Sequence, residues 1–262
     1  MARKKQWSWS SLFLPLWVSV AYLFLYIPLA VLITFSFNKV EFPYHWVGFS
    51  WRWYGELFSS AEIWQSAWNS LIVGISAVFL SLVIGLLFVI WNAQHKSDHL
   101  LSFFYPNLVV PEIVLTVGLL SFFVFFNVPL GLMTVIVGHT LLGLGYTIPI
   151  LNARFSTLDK NIIEASLDLG ATYRQTFFKV VLPILAPALL AAGLLVFILS
   201  LDDFLIAFFC AGTSAQTLPL FIFAMIRTGV SPVVNALATV MMAVSSLLVI
   251  AFCSLRIRAR VW

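Results

Sequence analysis

Six stretches of this chain are apolar for about 20 residues or more, the length a helix needs to cross a lipid bilayer. They lie at roughly 12–37, 67–91, 101–126, 132–153, 183–210 and 233–255. Backbone N–H and C=O groups find no water inside a bilayer, so such runs must satisfy them internally, as helices do. The strands of a membrane barrel would alternate apolar and polar residues, and these runs do not. Composition agrees. Only 9% of the residues are charged, against about 25% in soluble domains, too few to cover a water-facing surface. The expected fold is all-α: a polytopic membrane helix bundle of six transmembrane helices, forming a single domain over residues 1–262.

The first run follows "MARKKQWSW", a basic start that a signal peptide also shows. The small-x-small site at Ser19–Ala21 falls inside the run rather than after it, and the run is too long for a signal core, so it reads as an uncleaved first helix.

Six spans put both termini on one side. That side carries Arg3, Lys4, Lys5, Lys96, Arg154, Lys160, Arg174, Lys179, Arg256, Arg258 and Arg260, whereas the other carries Lys39, Arg52 and Arg227. Basic residues collect on the cytoplasmic side of membrane proteins, so both termini are expected there.

The remaining polar features are modest. Cys210 and Cys253 fall in apolar runs and read as small fillers, with no disulfide framework. His95 and His99, in "QHKSDHL", are four apart but read as a polar connector, and no metal is expected. The external loop 38–66, with "HWVGFSWRWYGELF", reads as an interfacial helix, because Trp and Tyr favour the membrane–water boundary, or as a docking surface for an external partner.

One charged segment interrupts the apolar chain on the cytoplasmic side, at 154–182. Ser156 with Asp159 reads as a helix start, and Thr172 with Gln175 as a capping box. Gly170 stands between them and tolerates the left-handed conformation that ends a helix. The segment therefore predicts a short helix, a sharp turn, a second short helix, and then Leu182-Pro183 opening the fifth span, with Pro187 bending it. Glu164 and Asp168 share one helix face, with Lys160 four residues before Glu164.

Here the residues resemble a known family. "EASLDLGATYRQTFFKVVLPILAP" is similar to the cytoplasmic signature loop of binding-protein-dependent ABC importers, with Glu164, Ala165, Gly170, Leu182 and Pro183 in register and Ser166 where a second Ala is usual. "RWYGELF", "VVPEIV", "LSLDDFLIAFF" and "GVSPVVNALAT" resemble the spermidine/putrescine permeases, most of all the second permease subunit of the pair. The resemblance implies a type I ABC importer permease fold in the bacterial inner membrane. It also implies that Glu164, Ala165, Asp168, Gly170, Leu182 and Pro183 belong to a coupling helix that docks on a cytoplasmic ATPase. The chain shows no G-x-x-x-x-G-K-[ST] nucleotide loop, so ATP and its magnesium are expected on that partner and no cofactor on this chain. Implied partners are an ATPase dimer, a sister permease subunit, a periplasmic polyamine-binding protein and the polyamine, besides membrane lipid; no nucleic acid is expected.

Three acids fall inside the apolar runs: Glu112, Asp202 and Asp203. A charge near the bilayer centre costs about 2.5–3.5 kcal/mol on insertion scales, so such residues mark pathways or pair with one another. No Lys or Arg lies in a run to neutralise them. Glu112, about a dozen residues into the third run and next to Pro111, is expected near mid-membrane; Asp202 and Asp203 are expected towards the outer face. Adjacent helical positions point about 100° apart, so at most one of the two Asp aims down a pathway. The acids are expected either to receive an oligo-cationic amine, in which case neutralising Glu112 and Asp203 cuts transport, or to bond to neighbouring helices. Asn235, one turn into the sixth run, is expected to bond between helices or to touch substrate.

A secondary carrier or channel could also hold intramembrane acids, but no internal repeat is evident. Enzyme motifs such as H-E-x-x-H and G-x-S-x-G are absent. Within the importer class, another cationic or small polar solute is the alternative cargo.

Overall fold

Prolines and one aspartate decide where the apolar runs break. A computed structural model describes residues 9–40, 45–95, 98–213, 215–229 and 231–259. Among them the regular structure is helical, with one isolated antiparallel bridge between Asn38 and Phe49. In chain order the helices are α1 (Trp9–Phe35), α2 (Arg52–Ser59), α3 (Ala61–His95), α4 (Asp98–Ser102), α5 (Glu112–Phe125), α6 (Leu132–Ser156), α7 (Lys160–Asp168), α8 (Tyr173–Thr176), α9 (Leu182–Asp202), α10 (Leu205–Cys210), α11 (Leu218–Thr228) and α12 (Pro232–Ala259). They form two compact units, Met1–Ser60 with Met225–Phe252 and Ala61–Ala224 with Cys253–Trp262. Arg3, Lys4, Lys5, Lys96 and Arg260, which carry part of the orientation reading, lie outside the described residues.

Among the described residues, four helices are long and apolar enough to cross a membrane: Phe13–Phe35, Ala61–His95, Leu132–Ser156 and the run Tyr173–Asp202. Shorter apolar helices are Glu112–Phe125, Leu218–Arg227 and Pro232–Leu247.

Two expected spans differ from a single straight helix. The third run, 101–126, is α4, a 3₁₀ turn at Tyr105–Leu108, a bend, and then α5. Pro106 and Pro111 cannot donate to the helical ladder, and Pro111 takes an extended conformation (φ −55°, ψ 132°) at the N-cap of α5. Glu112 is thus the first residue of a helix, not one deep within it. Ahead of the fifth run, 183–210, α8 and a π turn at Phe177–Val181 lead into α9 without interruption. The wide turn sits just before Pro183, where a missing N–H and a ring against the preceding turn disfavour regular α-helix. The same run then stops at Asp203 (φ −67°, ψ 125°), and α10 restarts at Leu205.

In the first unit, Asn38 organises the segment after α1. Its amide donates to the His45 carbonyl at 3.0 Å and accepts from the Val47 N–H at 3.0 Å. Its own carbonyl accepts from the indole of Trp53, which is buried in α2 together with Leu57 one turn on. Phe37, Phe49, Trp51 and Tyr54 stack around this point at centroid distances of 4.9–5.5 Å. The segment expected to hold an interfacial helix does contain a helix, α2, with Arg52 and Glu56 paired at 2.8 Å on its exposed face. Phe24 of α1 is 79% exposed and its neighbours are also open, a face that fits lipid rather than water as its solvent.

The second unit is built on α3, α6 and α9, which pack against one another along their lengths. Gly143 of α6 sits where α3 and α9 both pack against it. A Cβ there would collide with Ser81 of α3 and come within 2.9 Å of Val196 of α9. Ser81 in turn donates to the Thr140 carbonyl at 3.1 Å. Gly143→Val should therefore push the three helices apart and cost about 1–3 kcal/mol through overpacking. The expected result is a lower thermal midpoint of the purified protein in detergent.

Candidate functional site

Two helix ends and the middle of a third helix meet in the second unit. The start of α5 brings Glu112, the end of α9 brings Asp202 and Asp203, and the middle of α6 brings Leu142 and Tyr146. With Val110, Leu115 and Leu199 these residues line a cavity of about 220 Å³. Glu112 thus shares one cavity with Asp202 and Asp203, about 90 residues further along the chain. The proline-induced restart of α5 and the break after α9 both leave helix termini here, where backbone groups are free of the ladder.

The acids are not equivalent. Asp202 is exposed to the cavity and Glu112 is half-buried. Asp203 is 6% exposed and heavily engaged. Its carboxylate accepts from the backbone N–H of Ile206 at 3.3 Å and of Ala207 at 3.1 Å, at the start of α10. It also meets Nε2 of His139, from α6, at 2.9 Å. Glu112 lines the same cavity, close enough to interact with it electrostatically. Because a carboxylate accepts, Nε2 of His139 carries the hydrogen of that contact. The other ring nitrogen, Nδ1, faces the Ser200 hydroxyl at 2.6 Å, one turn earlier on α9. His139 and Ser200 are both buried.

Of the two expected roles for the intramembrane acids, Asp203 fills the bonded one, while Glu112 and Asp202 keep cavity-facing surface. His139 and Tyr146 were not singled out by sequence reasoning. A usable signal existed for His139: it is the sole histidine inside any of the six apolar runs, and an ionisable residue there is a functional candidate by default. Asn235 lies in the other unit, one turn into α12, where its backbone carbonyl accepts from the Thr239 hydroxyl at 2.7 Å.

The charged segment folds as an exposed elbow. Asp159 caps α7 by accepting from the Asn161 N–H. Ser156 does not take part in that start: it ends α6 and donates to the Ala153 carbonyl. Gly170 turns the chain at φ +84°, and Thr172 and Gln175 cap α8 reciprocally. Ser166, where the importer signature usually has Ala, shares a 3.0 Å hydrogen bond with Thr176 and so ties α7 to α8. Glu164, Ala165, Asp168 and Gly170 are all exposed, and Leu169 and Tyr173 stand 89% and 81% exposed at the bend. Leu182 and Pro183 follow the π turn as the first residues of α9.

Comparison with known proteins bears on what this arrangement serves. The chain is 36% identical over 234 residues to the spermidine/putrescine transport system permease protein PotC of Haemophilus influenzae, covering 88% of this chain and 91% of that one. The chain belongs to the spermidine/putrescine permease family. PotC of Escherichia coli strain K12 is 34% identical over 237 residues, covering 89% of this chain and 90% of that one. The putrescine permease protein PotI of the same strain is 33% identical over 233 residues, covering 85% and 83%. No protein-family model matches the chain. Among solved structures, this member of the permease family is similar to a bacterial ABC transporter that imports alginate, at TM-score 0.69 and 14% identity over 95% of this chain and 98% of that one. It is also similar to the MetNI methionine ABC transporter, at TM-score 0.59 and 22% identity over 77% and 98%. At these identities the likeness establishes the fold, that of ABC-transporter permeases.

Proposed function

We propose that this chain is one of two membrane subunits of an ATP-driven importer and passes a polyamine, putrescine or spermidine, from the periplasm to the cytoplasm. The observation that carries the reading is the acidic cavity: Glu112, Asp202 and Asp203 line one space whose lining, among the described residues, includes no Lys or Arg. An extended chain of ammonium groups and methylenes matches it, because carboxylates take the cations and Leu115, Leu142 and Leu199 take the carbon chain. Tyr146 offers a ring face for cation–π contact.

In this reading the third crossing is the broken segment that ends in α5, and the sixth is α12, which completes six spans with both termini in the cytoplasm of a bacterial inner membrane. The elbow of α7 and α8 is the coupling element. Its exposed Leu169 and Tyr173 supply apolar anchors for a cytoplasmic ATPase dimer, and Glu164 and Asp168 supply charge. ATP and magnesium are held by that ATPase, so hydrolysis is not an activity of this chain. A sister permease completes the pathway, and a periplasmic polyamine-binding protein delivers the cargo.

The test is uptake of radiolabelled putrescine and spermidine into vesicles holding the reconstituted complex, with and without ATP. ATP-dependent accumulation of either amine is expected. ATP hydrolysis without uptake of either would leave the importer fold standing and overturn the cargo.

A further inference from the structure

We propose that His139 is a positioning residue for the receiving carboxylates: it holds Asp203 in the break between α9 and α10, and so sets where Glu112 and Asp202 stand in the cavity. The inference rests on the importer reading for its transport consequence, but its structural part is independent of the cargo.

Three observations carry it. First, His139 bridges two points on the same chain segment, Ser200 at 2.6 Å and Asp203 at 2.9 Å, from a position 2% exposed in the middle of α6. A buried imidazole with both ring nitrogens engaged has one orientation available, so the ring acts as a fixed strut between α6 and the end of α9. Second, Asp203 is where the helix stops. Its carboxylate caps α10 through the Ile206 and Ala207 N–H groups while reaching His139, and Glu112 lines the same cavity. Movement of this one carboxylate would shift the start of α10, the adjacent Asp202 and the neighbouring Glu112 on α5 together. Third, the packing around the strut is tight. Gly138, next to His139, has no room for a side chain, because a Cβ there would collide with Ile206 of α10 and lie 3.4 Å from Leu119 of α5.

The division of labour follows. Asp203 is occupied by protein donors and is not free to wrap a substrate cation. Glu112 and Asp202 are the groups that touch it, and His139 acts on substrate through Asp203 without contacting it. In the intact complex, His139→Leu removes the donor and leaves a buried carboxylate short of a partner, whereas His139→Gln can still donate an N–H towards Asp203.

The experiment compares His139→Leu, His139→Gln, Asp203→Asn and the His139→Leu/Asp203→Asn double variant. KM and maximal rate of polyamine uptake are measured, together with hydrogen exchange of the amides at Ile206 and Ala207. His139→Leu is expected to raise KM about tenfold, the effect of losing one charge-assisted hydrogen bond, with a smaller change in maximal rate. His139→Gln should restore KM to within about threefold of wild type, and the double variant should be no worse than Asp203→Asn alone. Exchange at Ile206 and Ala207 should quicken in His139→Leu, with or without cargo. Additive losses in the double variant, or unchanged KM and unchanged exchange in His139→Leu, would overturn the proposal. Equal loss of assembled complex in both His139 variants, with KM unaltered in what assembles, would also overturn it, in favour of a purely structural histidine. Should wild type take up neither amine, the cargo reading falls, and the exchange data still decide whether His139 holds Asp203.

Discussion

Neutralising Glu112 and Asp202 together, as Glu112→Gln with Asp202→Asn, should lower ATP-driven polyamine uptake about 100-fold in kcat/KM. Each carboxylate offers a charge-assisted hydrogen bond to an ammonium group, worth about 1.5–3 kcal/mol, and two such losses multiply. Both side chains line the cavity and neither anchors a helix end, so the fold has little reason to fail. The measurement is initial uptake rate against polyamine concentration in vesicles of the reconstituted complex, with ATPase co-purification as the control for assembly. Uptake within about threefold of wild type would remove these acids from the pathway. Asp203→Asn is the informative contrast. That residue accepts from Ile206, Ala207 and His139, so its loss should lower the yield of folded complex as well as transport.

The second large effect is expected at the elbow. Gly170 holds φ +84°, a region that costs a β-branched residue about 1–3 kcal/mol. No other atom lies within 4 Å of where its Cβ would stand, so the penalty for Gly170→Val is backbone strain rather than collision. The chain would relieve it by changing the angle between α7 and α8 and misplacing Leu169 and Tyr173. Amine transported per ATP hydrolysed should fall about tenfold, while the protein remains folded in the membrane. Gly170→Asn, which tolerates the left-handed region, should retain most of the coupling. Wild-type stoichiometry in Gly170→Val would separate the elbow from energy transfer. Equal damage by Val and Asn would point to the missing side chain at the ATPase surface rather than to the turn.

Much of this protein was legible without its fold, for reasons that are local. The length of an apolar run determines that it becomes a helix, because lipid offers no alternative partner for the backbone. The elbow was readable for the same kind of reason: Asp159, Gly170, Thr172 and Gln175 act on backbone groups within four residues of themselves. Even the signature residues Glu164 to Pro183 announce the family as a contiguous string. Where local reading failed, two local preferences competed. Hydropathy alone drew 101–126 and 183–210 as unbroken spans, while Pro106, Pro111 and Asp203 ended helices within them. Ser156 read as a helix start, but it is the last residue of α6, where its hydroxyl donates back to the Ala153 carbonyl.

What only tertiary structure decided is which polar groups meet. Glu112, His139 and the Ser200/Asp203 pair come from three places in the chain, and nothing in the spacing between those places brings them together. Their meeting depends on how closely α3, α6 and α9 approach, a distance set by glycines such as Gly143 and by the side chains opposite them. It depends also on the start of α5 and the end of α9 lining the same cavity. The sequence by itself determined the helices, the elbow and the presence of unneutralised acids. Packing determined that one of those acids is bound by a histidine while the other two remain open to the cavity, since pairing buried charge is a property of distance between helices and not of order along the chain.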